Sequence, residues 1–211
     1  SSRKMFSRKR GGGDERIHSG GDGMTKIGLA VTGSFCTFRN ILLAVDDLVA
    51  HGFDVTPIFS FNTAKLDTRF YKASEFEELI KQKTGKTPIK TIPEAEPIGT
   101  AKGLELMLVA PCTGNTLAKI AHGITDTPVT MAVKAQLRNN RPVVLSISSN
   151  DALGANAKNI GILLNTRNVY FVPFSQDAPA VKSNSLIADT SRIRETCELA
   201  LQGKQIQPVL F

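Results

Sequence analysis

Histidine, cysteine and the large aromatics are scarce in this chain: three His, three Cys, two Tyr and no Trp in 211 residues. Cys36, Cys112 and Cys197 stand far apart, with no CxxC pair and no histidine at ligand spacing. That excludes a disulfide framework and argues against a metal centre. Small buried or half-buried thiols in a reducing cytoplasm are the expectation. Long apolar runs are missing too. The longest are strand-sized, far below the roughly 20 residues of a membrane span, so no membrane partner is expected. The basic N-terminus lacks the apolar stretch that a secretory signal places after it.

Charge of one sign is in modest excess, with a formal net charge of +7. Residues 1–23 hold six Lys/Arg against three Asp/Glu, and the other 20 basic and 16 acidic residues are scattered. A mild excess without interleaved aromatics is not a nucleic-acid footprint, and no nucleic-acid partner is expected. Residues 1–23 are rich in Gly, Ser and charge and have almost nothing to bury. They are expected to be a disordered tail, with Met24 as the natural start of a single domain over 24–211.

From Met24 onward short apolar runs alternate with segments of helical period. The runs Ile27–Thr32, Val55–Ser60, Leu106–Ala110, Val143–Ile147 and Val169–Pro173 lack polar alternation, as parallel strands buried on both faces do. Helical faces are read from Ile41, Leu42, Val45, Leu48 and Val49, and from Phe76, Leu79 and Ile80 before Gly85. Further faces are Leu117, Ile120 and Ala121 before Gly123, then Val129 to Leu137. Ile160, Leu163 and Leu164 make a fifth, and Ile193, Cys197 and Leu201 a sixth before Gly203. Strands joined by crossover helices give an α/β fold: a doubly wound parallel sheet in three α/β/α layers. Two connections, 83–104 and 174–188, read as long loops of the kind that cover sites or contact neighbouring protomers.

In such sheets ligands gather at the carboxyl ends of the strands, near the switch in strand order. After the first strand, Thr32-Gly33-Ser34-Phe35-Cys36-Thr37 supplies a glycine for close backbone approach. Ser34 and Thr37 add hydroxyls beside a helix start, a phosphate cradle in principle. This turn is neither GxGxxG nor a P-loop. After the second strand, Ser60 and Asn62 either cap the next helix or reach a ligand. The segment after the third strand is the richest, Pro111-Cys112-Thr113-Gly114-Asn115-Thr116, continuing Leu117-Ala118-Lys119. After the fourth strand Ser148, Ser149 and Asn150 are uncharged donors suited to substrate or cofactor. The alternative is that Asn150 or Asp151 caps the following helix.

The segment 111–126 resembles the Pro-Ala-Ser/Thr-Ala-Asn-Thr signature of the FMN-binding, cysteine decarboxylase-like flavoproteins, which continues Ala-Lys-x-Ala-x-Gly-Ile-x-Asp. Pro111, Thr113, Asn115, Thr116, Ala118, Lys119, Ala121, Gly123, Ile124 and Asp126 match, while Cys112 and Gly114 replace alanines. The resemblance implies a flavodoxin-like fold with FMN as cofactor. It puts the FMN phosphate on the Thr32-Gly33-Ser34 turn, with another hydroxyl from Ser60, and Thr113, Asn115 and Thr116 along the flavin and its ribityl side. It also implies a homo-oligomer, trimeric or a multiple.

Two departures separate the chain from the decarboxylating members. Those carry a histidine just before the third strand, where this chain reads Lys90-Thr91-Ile92-Pro93-Glu94-Ala95-Glu96-Pro97. Their Pro-x-Met-Asn clamp is replaced by Ser146-Ile147-Ser148-Ser149-Asn150-Asp151. Decarboxylation of a cysteinyl substrate therefore stands behind a second reading. With Ser34-Phe35-Cys36 and 148–151 included, the pattern is similar to a branch of the family that serves sporulation. That likeness implies oxidation of dihydrodipicolinate, a small dicarboxylate, in the mother-cell cytoplasm. The work is shared with an A subunit resembling an NAD(P)-binding dehydrogenase, so NAD(P) could enter through the partner. Aromatising the ring removes two electrons and two protons, leaving the protein mainly to position substrate against cofactor. Lys119, Lys134 and Arg138 are candidate carboxylate clamps that read equally as solvated helix charges. No general base is evident, and a non-catalytic, cofactor-binding or structural role beside the A subunit is the alternative.

Overall fold

The computed structural model describes residues 23–100 and 103–211. The expectation for 1–23 thus falls, apart from Gly23, outside the described residues. The chain runs β1 (Thr25–Val31), α1 (Phe38–Ala50), β2 (Phe53–Phe59), α2 (Phe61–Lys65), α3 (Ala73–Thr84) and α4 (Ile92–Ala95). It continues β3 (Leu106–Cys112), α5 (Gly114–Ala121), α6 (Pro128–Arg138), β4 (Val143–Ser149), α7 (Ala157–Leu164) and β5 (Val169–Phe171). Two short strands, β6 (Phe174–Gln176) and β7 (Leu186–Ala188), precede α8 (Ile193–Leu201).

Five strands are parallel in the order β2-β1-β3-β4-β5, each neighbour pair in continuous or nearly continuous register. Every residue of β3, the central strand, is buried, as a strand covered on both faces requires. One helical layer is α1 with α3 and α8 packed on it; the other joins α6 to α4 and α5, with α7 beyond α5. This is the single-domain, doubly wound α/β fold expected from the alternation. Gly85 ends α3 at φ +70°, where a side chain would be strained. Thr127 caps α6 ahead of Pro128 at its first turn.

The fold differs from the sequence reading in its connections. Segment 174–188 is not a loop: β6 and β7 form an antiparallel hairpin, and β7 pairs with the outer end of β4 through Ser148–Ile187 and Ser149–Leu186. β4 accordingly runs two residues past Ile147. Its first half pairs with β5 and its last two residues with β7. Segment 83–104 holds α4 and a 3-10 turn at Glu96–Gly99, both packed on α6. Val49 and Leu164, assigned to apolar faces, lie exposed at the ends of α1 and α7.

Candidate functional site

The order β2-β1-β3-β4 places the switch in strand order between β1 and β3, so the turns after these strands diverge and open a crevice between them. Thr32 fixes the two turns to each other. Its buried hydroxyl donates to the Pro111 carbonyl (2.6 Å) and accepts from the Thr113 N–H (3.0 Å). Thr113 in turn accepts from Thr116 N–H and so caps α5. Across the crevice the hydroxyls of Ser34 and Ser148 meet at 2.7 Å, joining the turn after β1 to the end of β4.

A cleft of about 600 Å³ lies over these turns, within the size range of small-molecule and cofactor sites. Its floor is Gly33, Ser34, Cys36, Thr113, Gly114 and Asn115, and Ser148, Ser149, Asn150 and Asp151 make one side. The hairpin supplies the far wall through Asp177, Lys182, Ser185, Leu186 and Ile187. Because β7 extends β4 only at its carboxyl end, the hairpin stands beside the cleft, with Phe174, Leu186 and Ala188 packed into the core. Its turn is docked there by the Leu153 N–H donating to the Asn184 carbonyl (3.0 Å).

Asp151 is the most constrained polar group of the cleft. Its carboxylate accepts from the Ser149 hydroxyl and, at both oxygens, from Asn156 Nδ2 (3.0 Å each). Asn159 Nδ2 donates to Asn156 Oδ1 (2.9 Å), extending the network into the interior, where Asn159 Oδ1 has no partner among the described residues. The Ser149 and Asn156 hydrogen bonds hold the Asp151 carboxyl below the usual carboxylate range. Gly114 makes this packing possible. A Cβ there would sit 2.6 Å from Ser149 Oγ, 2.7 Å from Asn156 Nδ2 and 2.7 Å from Asp151 Oδ1.

Of the residues singled out from sequence, Gly33, Ser34, Thr113, Asn115, Ser148, Ser149 and Asn150 line the cleft. The amides of Asn115 and Asn150 have no hydrogen-bond partner among the described residues, which leaves them free for a ligand. Pro111, Thr37, Thr116, Ser60 and Asn62 do not line it. Pro111 is buried in β3 after a cis peptide bond. Thr37 donates to the Ser34 carbonyl (2.7 Å), and Thr116 is buried against Thr113. Ser60 is the N-cap of α2, its hydroxyl taken by Thr63, while Asn62 is exposed on α2 with its Cβ near Gly33. Asn150 and Asp151 do not cap α7, which begins six residues later at Ala157.

Lys119 is paired with Asp126 (2.8 Å), and Lys134 and Arg138 are exposed on α6 outside the cleft. Among the described residues the one cation lining the cleft is Lys182, paired with Asp177 at 3.0 Å. Sequence reasoning missed it because nothing local ties a serine-rich connection to a strand end about 30 residues earlier, and it read Asp151 as a helix cap. Burial pushes the Cys112 thiol up to about 12, so it is inert, and Cys36 is exposed at the cleft. No group of His, Cys, Asp and Glu among the described residues is arranged to hold a metal. No helix there is long and apolar enough to cross a membrane.

Comparison with known proteins gives these geometries a context. The Flavoprotein family model matches residues 15–193. The B subunit of dipicolinate synthase from Bacillus subtilis (strain 168) is 44% identical over 185 residues, 88% of this chain and 92% of that protein. The crystal structure of the dipicolinate synthase B subunit from Bacillus halodurans C superposes with a TM-score of 0.83 at 45% identity, covering 90% of this chain and 97% of the other. AnUbiX in complex with FMN and dimethylallyl pyrophosphate shares the fold alone, with a TM-score of 0.55 at 19% identity over 71% of this chain and 78% of the other.

Proposed function

This chain belongs to the Flavoprotein family, and we propose that it is the flavin-binding B subunit of a dipicolinate synthase, oxidising dihydrodipicolinate to dipicolinate together with an A subunit. The observation that carries the reading is the cleft at the β1/β3 switch point, where the free amide of Asn115 stands beside Ser34 and Thr113. The two Bacillus relatives, both dipicolinate synthase B subunits, support the substrate.

The residues present fit FMN. Hydroxyls and amides from three strand ends offer neutral donors and acceptors for a polyol chain and phosphate, while Leu186, Ile187 and Cys36 give apolar surface for a flat ring. Ser34 with Gly33 would hold the phosphate end, and Thr113 and Asn115 the ribityl and ring edge. Thr37, Ser60 and Thr116 then act one step back, fixing the turns that carry the contacts. Bound flavin supplies a two-electron acceptor. The chain's own part is to position the substrate, orient its carboxylates and restrict water. Lys182 on the hairpin and the Asn150 amide are the groups placed to receive a carboxylate, Lys182 by exchanging its exposed pairing with Asp177.

A homo-oligomer and a place in the cytoplasm of a sporulating cell belong to the same reading. The test is co-purification. A purified chain that keeps a flavin spectrum through dialysis, or acquires one with added FMN, supports the proposal, and one whose spectrum never changes with FMN removes it. Activity of the A subunit alone in forming dipicolinate would instead favour the non-catalytic reading, whose motive is the lack of histidine among the described residues that line the cleft. His51 and His122 both sit at helix ends away from it.

A further inference from the structure

Removing two hydrogens from a dihydropyridine ring sends one away as a hydride equivalent and the other as a proton, and the proton needs an acceptor. Among the described residues the titratable groups lining the cleft are Cys36, Asp151, Asp177 and Lys182. Lys182 is a cation, and Asp177 is its partner on the hairpin at the cleft's outer edge. Cys36 lies exposed with a single weak contact, 3.9 Å to Ser34 Oγ. Asp151 differs from all three. It is anchored on two sides by Ser149 and Asn156, and Gly114 leaves it room against the start of α5. Asn156 is itself buried and held by Asn159, so the carboxylate is fixed in place.

Resting on the functional reading above, we propose that Asp151 is the proton acceptor for substrate oxidation in this cleft. One ring C–H or N–H bond breaks with its electron pair staying in the ring as part of the new π system, and the proton forms an O–H bond with an Asp151 oxygen. The second ring hydrogen would leave with the electron pair of its C–H bond, as hydride, the two-electron acceptor being what a bound flavin or nicotinamide would supply. The Asp151 proton then returns to water at the open side of the cleft. Aromatisation drives the step, so a weak, ionised carboxylate suffices where no histidine is present. The hydrogen bonds from Ser149 and Asn156 hold the carboxylate in place and lower its basicity, so the proton it takes passes readily to water.

Two measurements test this on the full chain. The first needs no turnover: calorimetric binding of dipicolinate across pH in two buffers of different ionisation enthalpy. A doubly anionic product beside Asp151 raises the proton affinity of that carboxyl, so the wild type takes up protons on binding and binds more weakly as pH rises. Asp151→Asn, which preserves the shape and two hydrogen bonds, should abolish the uptake and flatten the pH dependence. Asp177→Asn should leave the uptake in place, and Asp151→Glu should restore it to the altered position. The second is turnover with the A subunit, where Asp151→Asn should lower kcat by on the order of 10²-fold with FMN titration unchanged and a far-UV spectrum like that of the wild type. Proton uptake that persists in Asp151→Asn, or vanishes in Asp177→Asn, overturns the assignment while leaving the flavin-binding reading intact. A wild type that binds FMN but no dipicolinate overturns the assignment and the proposed substrate together. Failure to bind FMN counts only against the cofactor.

Discussion

Replacing Gly114 by alanine sets two expectations against each other. The family signature carries alanine at this position, so the likeness alone would make the change harmless. An α5 first turn would even gain the difference in helix propensity between Ala and Gly, up to about 1 kcal/mol. The geometry says otherwise. The new Cβ would fall 2.6 Å from Ser149 Oγ and 2.7 Å from both Asn156 Nδ2 and Asp151 Oδ1, distances real Cβ atoms do not occupy. Either α5 shifts or the Asp151 network opens, at the cost of about 1–3 kcal/mol typical of overpacking. After the propensity gain the net loss should be up to about 2 kcal/mol. In a chain of this size that is up to about 8 °C in Tm. Urea unfolding at neutral pH measures it. The Asp151→Ala background supplies the control, because removing the carboxylate gives the methyl group room, so the two changes together should cost less than their sum. A Gly114→Ala protein as stable as the wild type, with additive behaviour in the double variant, would refute the claim that glycine stands here to admit Asp151.

Other expectations are checked more simply. Thr32→Val keeps the shape but leaves the Pro111 carbonyl and Thr113 N–H without their buried partner. Chemical denaturation should register a loss of about 1–3 kcal/mol. Asn115 is exposed in the cleft, so Asn115→Ala should weaken FMN binding by only about 0.5–1.5 kcal/mol, read from a flavin titration, with thermal stability unchanged. The lowered Asp151 carboxyl also carries a pH signature. A group whose folded pKa lies below its unfolded value adds stability above the unfolded pKa and loses it as pH falls through the folded one. Melting curves from neutral pH down through the carboxylate range should therefore fall less steeply in Asp151→Asn than in the wild type. Lys182→Gln should weaken dipicolinate binding, and the difference from wild type should shrink as salt is raised.

Much of the scaffold was legible because its signals are local. Apolar runs without alternation marked β1 to β5, and Gly52, Gly85, Gly123 and Gly203 marked helix ends with positive φ. The turns after β1 and β3 were legible through small and hydroxylated residues at strand ends, and seven of their residues, with those after β4, do line one cleft. The hairpin was not legible. β6 and β7 are three residues each and gain their stability from pairing with each other and with the last two residues of β4, contacts that no short window contains. Asp151 was hidden for a related reason. A polar residue shortly before an apolar period reads as a helix cap, whereas here the chain spends several residues in turns before α7 and turns the carboxylate onto Gly114 instead. Ser60 shows the reverse: the plain reading as an N-cap is what the fold contains.

The claim on which the functional account rests is that the cleft over Gly33, Ser34, Thr113 and Asn115 takes FMN. The most direct measurement is the visible spectrum of the purified chain during an FMN titration followed by gel filtration, run beside Asn115→Ala. The account predicts a perturbed flavin spectrum that travels with the protein and a weaker titration in the variant. A colourless chain whose flavin elutes free, with identical curves for both proteins, would contradict it.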